Sequence, residues 1–364
     1  RIRKVQREGC WCLILLLILF KSKPQMSTPL KIVFLGTPEL ACPTLEALIK
    51  DSRFEVKAVI TQEDKKVGRQ QLLTFPPIKK LAVEHNIEVF QPIKLNKDSE
   101  LIEKLKNWQI DFLVIIGYGQ IVSQKVLNIP HIKPINVHFS LLPKYRGASP
   151  IEQALLNSDS ETGISIMEVT LGMDQGPIYQ INKIPINSED NSMTLRQKLA
   201  DLSAQELPES LIKIKNKQIL AIPQEENLAT YCQKITKEQA EVTPQTESAK
   251  DVMAILKAFT PWPGISLKIK GKNCKILQAQ ENSEKHLPAG QFQIESKKLL
   301  SNIPIITNIN KQASQTFHWY FSLLNSLFIA EKQSFAELKN NIINKTPPAI
   351  PCSAKLNRKI LCTG

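Results

Sequence analysis

The feature that most limits what this chain can fold into is a rhythm between Lys31 and Gly117. Short, almost uninterrupted apolar runs alternate with segments of helical period: KIVFLG (31–36), VKAVI (56–60) and DFLVIIG (111–117) are the runs. After KIVFLG, Pro38 opens a helical segment whose apolar stripe is Leu40, Leu45, Leu48 and Ile49. PIKKLAVEHN (77–86) and SELIEKLKNW (99–108) repeat that pattern, with IEVFQ (87–91) extended between them. A strand that is apolar on both sides leaves neither face for water. Strands of this kind, alternating with helices of about ten residues, predict a parallel sheet covered on both faces. The expected class is α/β, with a Rossmann-like parallel-sheet domain.

Further along, PIEQALLN (150–157) reads as a helix, TGISIMEVT (162–170) and IYQINKIPI (178–186) as strands, and LGMDQG (171–176) as the turn between them. A long helix covers 193–214, with a kink expected at Pro208. The texture then changes. IPQEENLATY (222–231) reads as a linker ending in a new unit, KDVMAILKAF (250–259) as a helix, SLKIKGKNCKILQAQ (266–280) as a hairpin around Gly271, and GQFQI (290–294) as a further strand. These short strands point to a small barrel-like second domain. The predicted organisation is a first domain over 30–218, a linker over 219–228, a second and incomplete domain over 229–300, and a tail over 301–364 without placeable caps or turns.

Residues 1–29 stand apart. RIRKVQREG precedes an apolar run of 11 residues, CWCLILLLILF. That resembles a signal peptide, but a bilayer needs about 20 apolar residues, and KSKPQ offers no small-x-small cleavage site. The segment is read as translated upstream sequence or a signal-like extension, with the folded part beginning near Met26. No membrane association is expected of the core. The formal charge of +13 lies in the two ends: residues 1–25 hold six Lys/Arg against one Glu, and residues 296–364 nine against two. Net charge is therefore no argument for nucleic acid; only local patches count. Seven cysteines, an odd number without a CxxC pair, argue against a disulfide framework or a zinc site and for a reducing, cytoplasmic compartment.

The chemistry concentrates in INVHFSLLPKYRGASPI (135–151). Asn136 and His138 are two apart, so in an extended segment they share a face. They lie where a strand is about to end, and open parallel sheets bind ligands outside the carboxyl ends of their strands. Asp174 follows in a loop between Gly172 and Gly176, where glycines allow close backbone approach. Taken singly, His138 also reads as a satisfied core histidine, Asn136 as a turn former and Asp174 as an Asx-turn.

Together, INVHFSLLPKYRGASPI and ETGISIMEVTLGMDQGPI resemble the formyltransferases that use 10-formyltetrahydrofolate. FLGTPE (34–39), TQEDKKVGRQQLL (61–73), YGQIV (118–122), YCQKITKEQA (231–240) and AFTPWPGISLKIKG (258–271) follow in that family's order, and resemble most the branch acting on methionyl-tRNA. The resemblance spans about 31–295. It implies a Rossmann-like formyltransferase domain followed by an OB-like barrel, and formyl transfer to the amino group of methionyl-initiator-tRNA. It makes Asn136, His138 and Asp174 the catalytic set. Ser140, Leu141, Leu142 and Pro143, with Gln120, Ile121 and Val122 around the pterin, become the folate-binding residues. Arg69 becomes a loop contact to tRNA. The formyl donor is a substrate; no metal, redox cofactor or stable protein partner is implied. Lys268, Lys270 and Lys272 alternate in the hairpin and are expected on one face, suited to phosphate. Phe139 stands where that family has a small residue and should point into the core. Three other readings stay open: a formyltransferase acting on an amino sugar or glycinamide ribonucleotide, a hydrolase of formyl-folate, or a non-catalytic folate- or RNA-binding relative.

Overall fold

A computed structural model describes residues 28–68, 70–242, 248–269, 272–276, 292–295 and 298–301, with the backbone alone at 67, 249, 268–269, 272–274, 292–295 and 298–301. Arg69, Lys270 and most of both terminal segments lie outside the described residues. The first elements are β1 (Leu30–Gly36), α1 (Cys42–Lys50), β2 (Phe54–Ile60), a hairpin of β3 (Lys65–Val67) and β4 (Leu72–Thr74), α2 (Pro77–Glu84) and β5 (Glu88–Phe90). Then come α3 (Ser99–Asn107), β6 (Phe112–Ile116), α4 (Gln124–Leu127), β7 (Lys133–His138), β8 (Arg146–Gly147) and α5 (Pro150–Leu156). The remainder is β9 (Glu161–Glu168), β10 (Ile178–Pro185), α6 (Ser192–Lys215), β11 (Tyr231–Cys232), α7 (Ala249–Phe259), and the hairpins β12 (Ile265–Ile269) with β13 (Lys272–Ile276) and β14 (Phe292–Glu295) with β15 (Lys298–Ser301). Asn191 and Thr194 form a capping box on α6, which continues through Pro208 to Lys215.

Seven strands form one sheet in the order β10-β9-β7-β6-β1-β2-β5. The five from β7 to β5 are parallel, as the apolar runs predict. Strand β9 runs antiparallel to both its neighbours, β7 and β10, so β10 points the same way as the five; for the β9–β10 pair the cause is chain length. Residues 169–177 between β9 and β10 are too few for a crossover, which takes a dozen or more. Strand β10 closes that edge, and its burial alternates as befits a strand wetted on one face.

Alternate residues of the central strands feed two apolar clusters, one on each face. Ile32 and Phe34 of β1 join Phe112, Val114 and Ile116 of β6 and the stripe of α1; Val33, Leu35, Leu113 and Ile115 join Leu101 and Leu105 of α3. The same alternation runs through β7. Ile135, Val137 and Phe139 are buried in the first cluster, so Phe139 packs as expected, and the even positions 136 and 138 turn to the opposite face.

The C-terminal segment shares that first cluster. Val252, Leu256 and Phe259 of α7, with Ile265, Leu267 and Ile276 of the hairpin, pack with Ile151, Leu155, Leu195 and Leu199. The lysine reading needs correction here. The register pairs Lys268 with Asn273 and Ile269 with Lys272. Directly paired residues share a face and neighbours along a strand alternate, so positions 268 and 272 fall in opposite phases. Lys268 is in phase with Ser266 and Lys275, which pair with each other.

Candidate active site

Asn136 and His138 are the last residues of β7 on their face of the sheet, with Asn136 paired to Ile115 near the carboxyl end of β6. The turn carrying Asp174 begins level with Ile135, the partner of Glu168. It then folds back over the sheet, bringing Asp174 Oδ2 within 3.6 Å of His138 Nδ1. That is longer than a hydrogen bond, and an ion pair only when the ring carries a second proton. On its other side the imidazole Nε2 lies 2.9 Å from the Tyr145 carbonyl oxygen. A carbonyl only accepts, so Nε2 carries a proton and donates. His138 is 6% exposed, whereas Asn136 is half-buried on the same face of β7.

The backbone around this ring is held in uncommon conformations. Tyr145 and Asp174 have positive φ, 61° and 53°, each costing on the order of 1–3 kcal/mol at a residue with a side chain. Both are fixed by hydrogen bonds. Tyr145 N–H donates to Thr230 Oγ1 at 2.9 Å, and its hydroxyl to Asp159 Oδ2 at 2.7 Å. Burial first, then that Asp159 bond, pushes the hydroxyl up to about 12, so it remains a donor at neutral pH. Asp174 Oδ2 accepts the Gly147 N–H at 2.8 Å. Tyr145, Arg146 and Gly147 thus frame the site, and the sequence reading assigned them no role. Their signal was present as a tyrosine, an arginine and a glycine directly after the strand.

The expected folate residues fall into two places. Gln120 and Ile121 line a cavity of about 520 Å³ with Gln62, Lys94, Asn96 and Lys97. Val122 is not among its lining residues and is buried in the cluster with Leu101 and Leu105 of α3. Leu141, Leu142 and Pro143 line a separate cavity of about 540 Å³ with Thr162, Ile181 and Leu228. Ser140 lines neither cavity. Its hydroxyl donates to the Lys144 carbonyl at 2.6 Å, while its own carbonyl accepts from Ser165 Oγ at 2.7 Å. It shapes the loop that follows β7. The 61–73 loop is the β3–β4 hairpin, with Leu72 and Leu73 exposed. Among the described residues no helix is long and apolar enough to cross a membrane, and no group of three or more His, Cys, Asp or Glu side chains is placed to hold a metal ion.

Comparison with known proteins bears on this geometry. Residues 30–211 match the family described as formyl transferase, and residues 234–303 match the formyl transferase C-terminal domain. A methionyl-tRNA formyltransferase of Methylacidiphilum infernorum is 42% identical over 234 residues, 64% of this chain and 72% of that protein. One from Lactobacillus gasseri is 40% identical over 270 residues, 74% of this chain and 85% of that protein. Among solved structures, a sugar 3N-formyl transferase crystallised with dTDP and 5-N-formyl-THF superposes with a TM-score of 0.57 at 18% identity, covering 77% of this chain and 99% of its own. An N-formyltransferase of Helicobacter canadensis, in complex with folinic acid and dTDP-3-aminofucose, gives 0.58 at 19%, with the same coverage. At such identities the two structures carry the fold alone.

Proposed function

We propose that this chain, which belongs to the formyl transferase family, transfers the formyl group of 10-formyltetrahydrofolate to the amino group of methionyl-initiator-tRNA. The observation that carries the reading is the junction of β7 with the 169–177 turn. There Asp174 approaches His138, and Asn136 lies two residues earlier on the same face of β7, in a chain about 40% identical to methionyl-tRNA formyltransferases.

The chemistry suits these groups. The amine nitrogen attacks the formyl carbon, a carbon–nitrogen bond forms, and negative charge develops on the formyl oxygen. The bond from that carbon to N10 of the folate then breaks; the attacking amine gives up a proton and N10 gains one. The Asn136 amide is a donor for the developing oxyanion, a contact worth about 3 kcal/mol in other acyl transfers. His138 takes up the amine proton. Its Nε2 is already protonated against the Tyr145 carbonyl, so Nδ1 is the nitrogen left to receive it. The resulting imidazolium donates to a carbonyl on one side and faces the Asp174 carboxylate on the other. Asp174→Asn keeps the shape and an acceptor for Gly147 N–H but removes the charge. It is expected to lower kcat about 10-fold or more, with folate KM within a few-fold. Unchanged single-turnover rates would take Asp174 out of the proton transfer.

In this reading Ser140–Pro143 and Gln120–Val122 shape the folate site, the C-terminal segment forms an OB-like barrel over 229–300, and the enzyme works in the cytoplasm. Arg69 contacts the tRNA, and so does the face of the β12–β13 hairpin that carries Lys268 and Lys275. Arg69 lies in sequence between β3 and β4, and a guanidinium offers a planar fork to phosphates or base edges. Arg69→Ala should lower kcat/KM for methionyl-tRNA by about 10-fold or more, with folate affinity unchanged and stability within about 0.5 kcal/mol. Arg69→Lys should recover only part. A parental rate for Arg69→Ala across a salt series would move the amino-sugar reading ahead. The deciding assay measures formyl transfer from 10-formyltetrahydrofolate to charged initiator tRNA, against uncharged tRNA, free methionine and a nucleotide-linked amino sugar. Transfer to the amino sugar alone, or hydrolysis without transfer, would overturn the reading.

A further inference from the structure

Arg146 is a fully buried arginine with no donor left for a ligand. It is 0% exposed. Its Nε donates to Gln224 Oε1 at 3.1 Å, its Nη1 to Glu226 Oε2 at 2.8 Å and to the Tyr231 hydroxyl at 3.2 Å, and its Nη2 to Gln224 Oε1 at 2.9 Å and Glu226 Oε1 at 2.8 Å. A guanidinium has five N–H donors, and all of them are used within the protein. A lysine could not reproduce this fork. Hydrogen bonding from Arg146 holds the Glu226 carboxyl below its ordinary value, so the pair stays ionised at neutral pH.

What this arginine fixes is Gln224. With its oxygen committed to Arg146, the Gln224 amide nitrogen is aimed at the Asp174 turn. It donates to the Asp174 carbonyl at 2.8 Å and to the Gly176 carbonyl at 2.7 Å. Two residues before it, Ile222 and Ile178 exchange both backbone hydrogen bonds at 2.8 Å, anchoring the strand that leaves the turn. The next residue after Arg146 is Gly147, whose N–H holds the Asp174 carboxylate. Asp174 is thus gripped at two points, its carbonyl from Gln224 and its carboxylate from Gly147, and Arg146 ties the two grips together. Gln224 lies in the segment that joins the formyl transferase match at 30–211 to the C-terminal match at 234–303.

We propose that Gln224, oriented by Arg146, is a positioning residue that sets the Asp174 carboxylate against His138, so that the segment entering the C-terminal domain also completes the active site. The proposal rests on the formyl-transfer reading for its kinetic consequence, and on the hydrogen bonds alone for its spectroscopic one. A misplacement of about 1 Å can cost about 100-fold in rate.

The test uses the full chain with Gln224→Ala, Gln224→Glu and Arg146→Lys. Gln224→Glu keeps the acceptor for Arg146 but loses the amide donors to the Asp174 and Gly176 carbonyls. The expected result is a kcat lowered about 10- to 100-fold in the Ala and Glu variants, with KM for both substrates within a few-fold. The 15N ring resonances of His138 should move in the same variants at fixed pH. Arg146→Lys should move those resonances in the same direction. Parental kcat and unmoved His138 resonances in folded Gln224→Glu would overturn the proposal. So would a loss of rate that disappears when assays are run well below each variant's Tm, because that is a stability effect. If the parent itself formylates no tRNA, the function reading fails, and the His138 resonances still decide the clamp.

Discussion

His138→Ala is expected to lower the turnover of methionyl-tRNA formylation by at least about 100-fold, with 10-formyltetrahydrofolate binding within a few-fold of the parent. The imidazole is 6% exposed and held from two sides. It has little freedom to act as a general folate contact, and its work is in the step where the amine proton leaves. Removing it takes away the only protonatable ring at the junction and leaves the Tyr145 carbonyl and the Asp174 carboxylate without a shared partner. Asn136→Ala should fall by a similar factor for a different reason. Its amide serves the formyl oxygen only as that oxygen acquires charge, so loss of the amide should appear in kcat and not in KM. The measurement is single-turnover formylation on protein shown to be folded by its thermal transition. Near-parental turnover in either variant would sink the assignment of these residues.

These two residues were legible from sequence because strand geometry is local. Apolar side chains at 135, 137 and 139 fix one face of β7, and the period of two sends 136 and 138 to the other. The parallel core was legible for a similar reason, since runs such as that of β6 admit no wet face. The antiparallel β9–β10 pair was decipherable in principle, because nine residues cannot make a crossover; the reversal of β9 against β7 was not, because residues 139–160 are enough for one. The phase of the lysines was likewise available. A Lys-Gly pair between two alternating runs is a two-residue reversal, and a reversal puts positions 268 and 272 out of phase. The clamp on Asp174 was not legible. Arg146 and Gln224 are 78 residues apart, and nothing in either local pattern separates a buried fork from a solvated loop. Nor could the chain's order show that the residues after β6 and those after β7 would line separate cavities.

Gly147→Ala tests whether the grip on Asp174 matters as much as the groups that react. Gly147 has φ 122°, and a Cβ there would stand 2.2 Å from the Cys232 carbonyl oxygen. That oxygen cannot swing aside cheaply. It already accepts the Ala148 N–H at 3.2 Å, and Cys232 is the register partner of Gly147 between β11 and β8. A methyl group therefore forces β11 away by about 1 Å to reach ordinary contact, or forces φ out of its region. Either movement carries the Gly147 N–H off the Asp174 carboxylate. The expected destabilisation is about 3 kcal/mol, combining backbone strain with a backbone clash, which lowers Tm by roughly 4–6 °C in a chain of this size. At a temperature where the variant is folded, kcat should still be at least about 100-fold down. Gly68→Ala is the control. Gly68 also has positive φ, 74°, but nothing lies within 4 Å of its Cβ position, so only conformational strain of about 1 kcal/mol is expected. If Gly147→Ala loses stability yet keeps the parental rate once folded, the hydrogen bond to Asp174 is not what aligns it with His138. Alignment would then rest on the Gln224 contact alone.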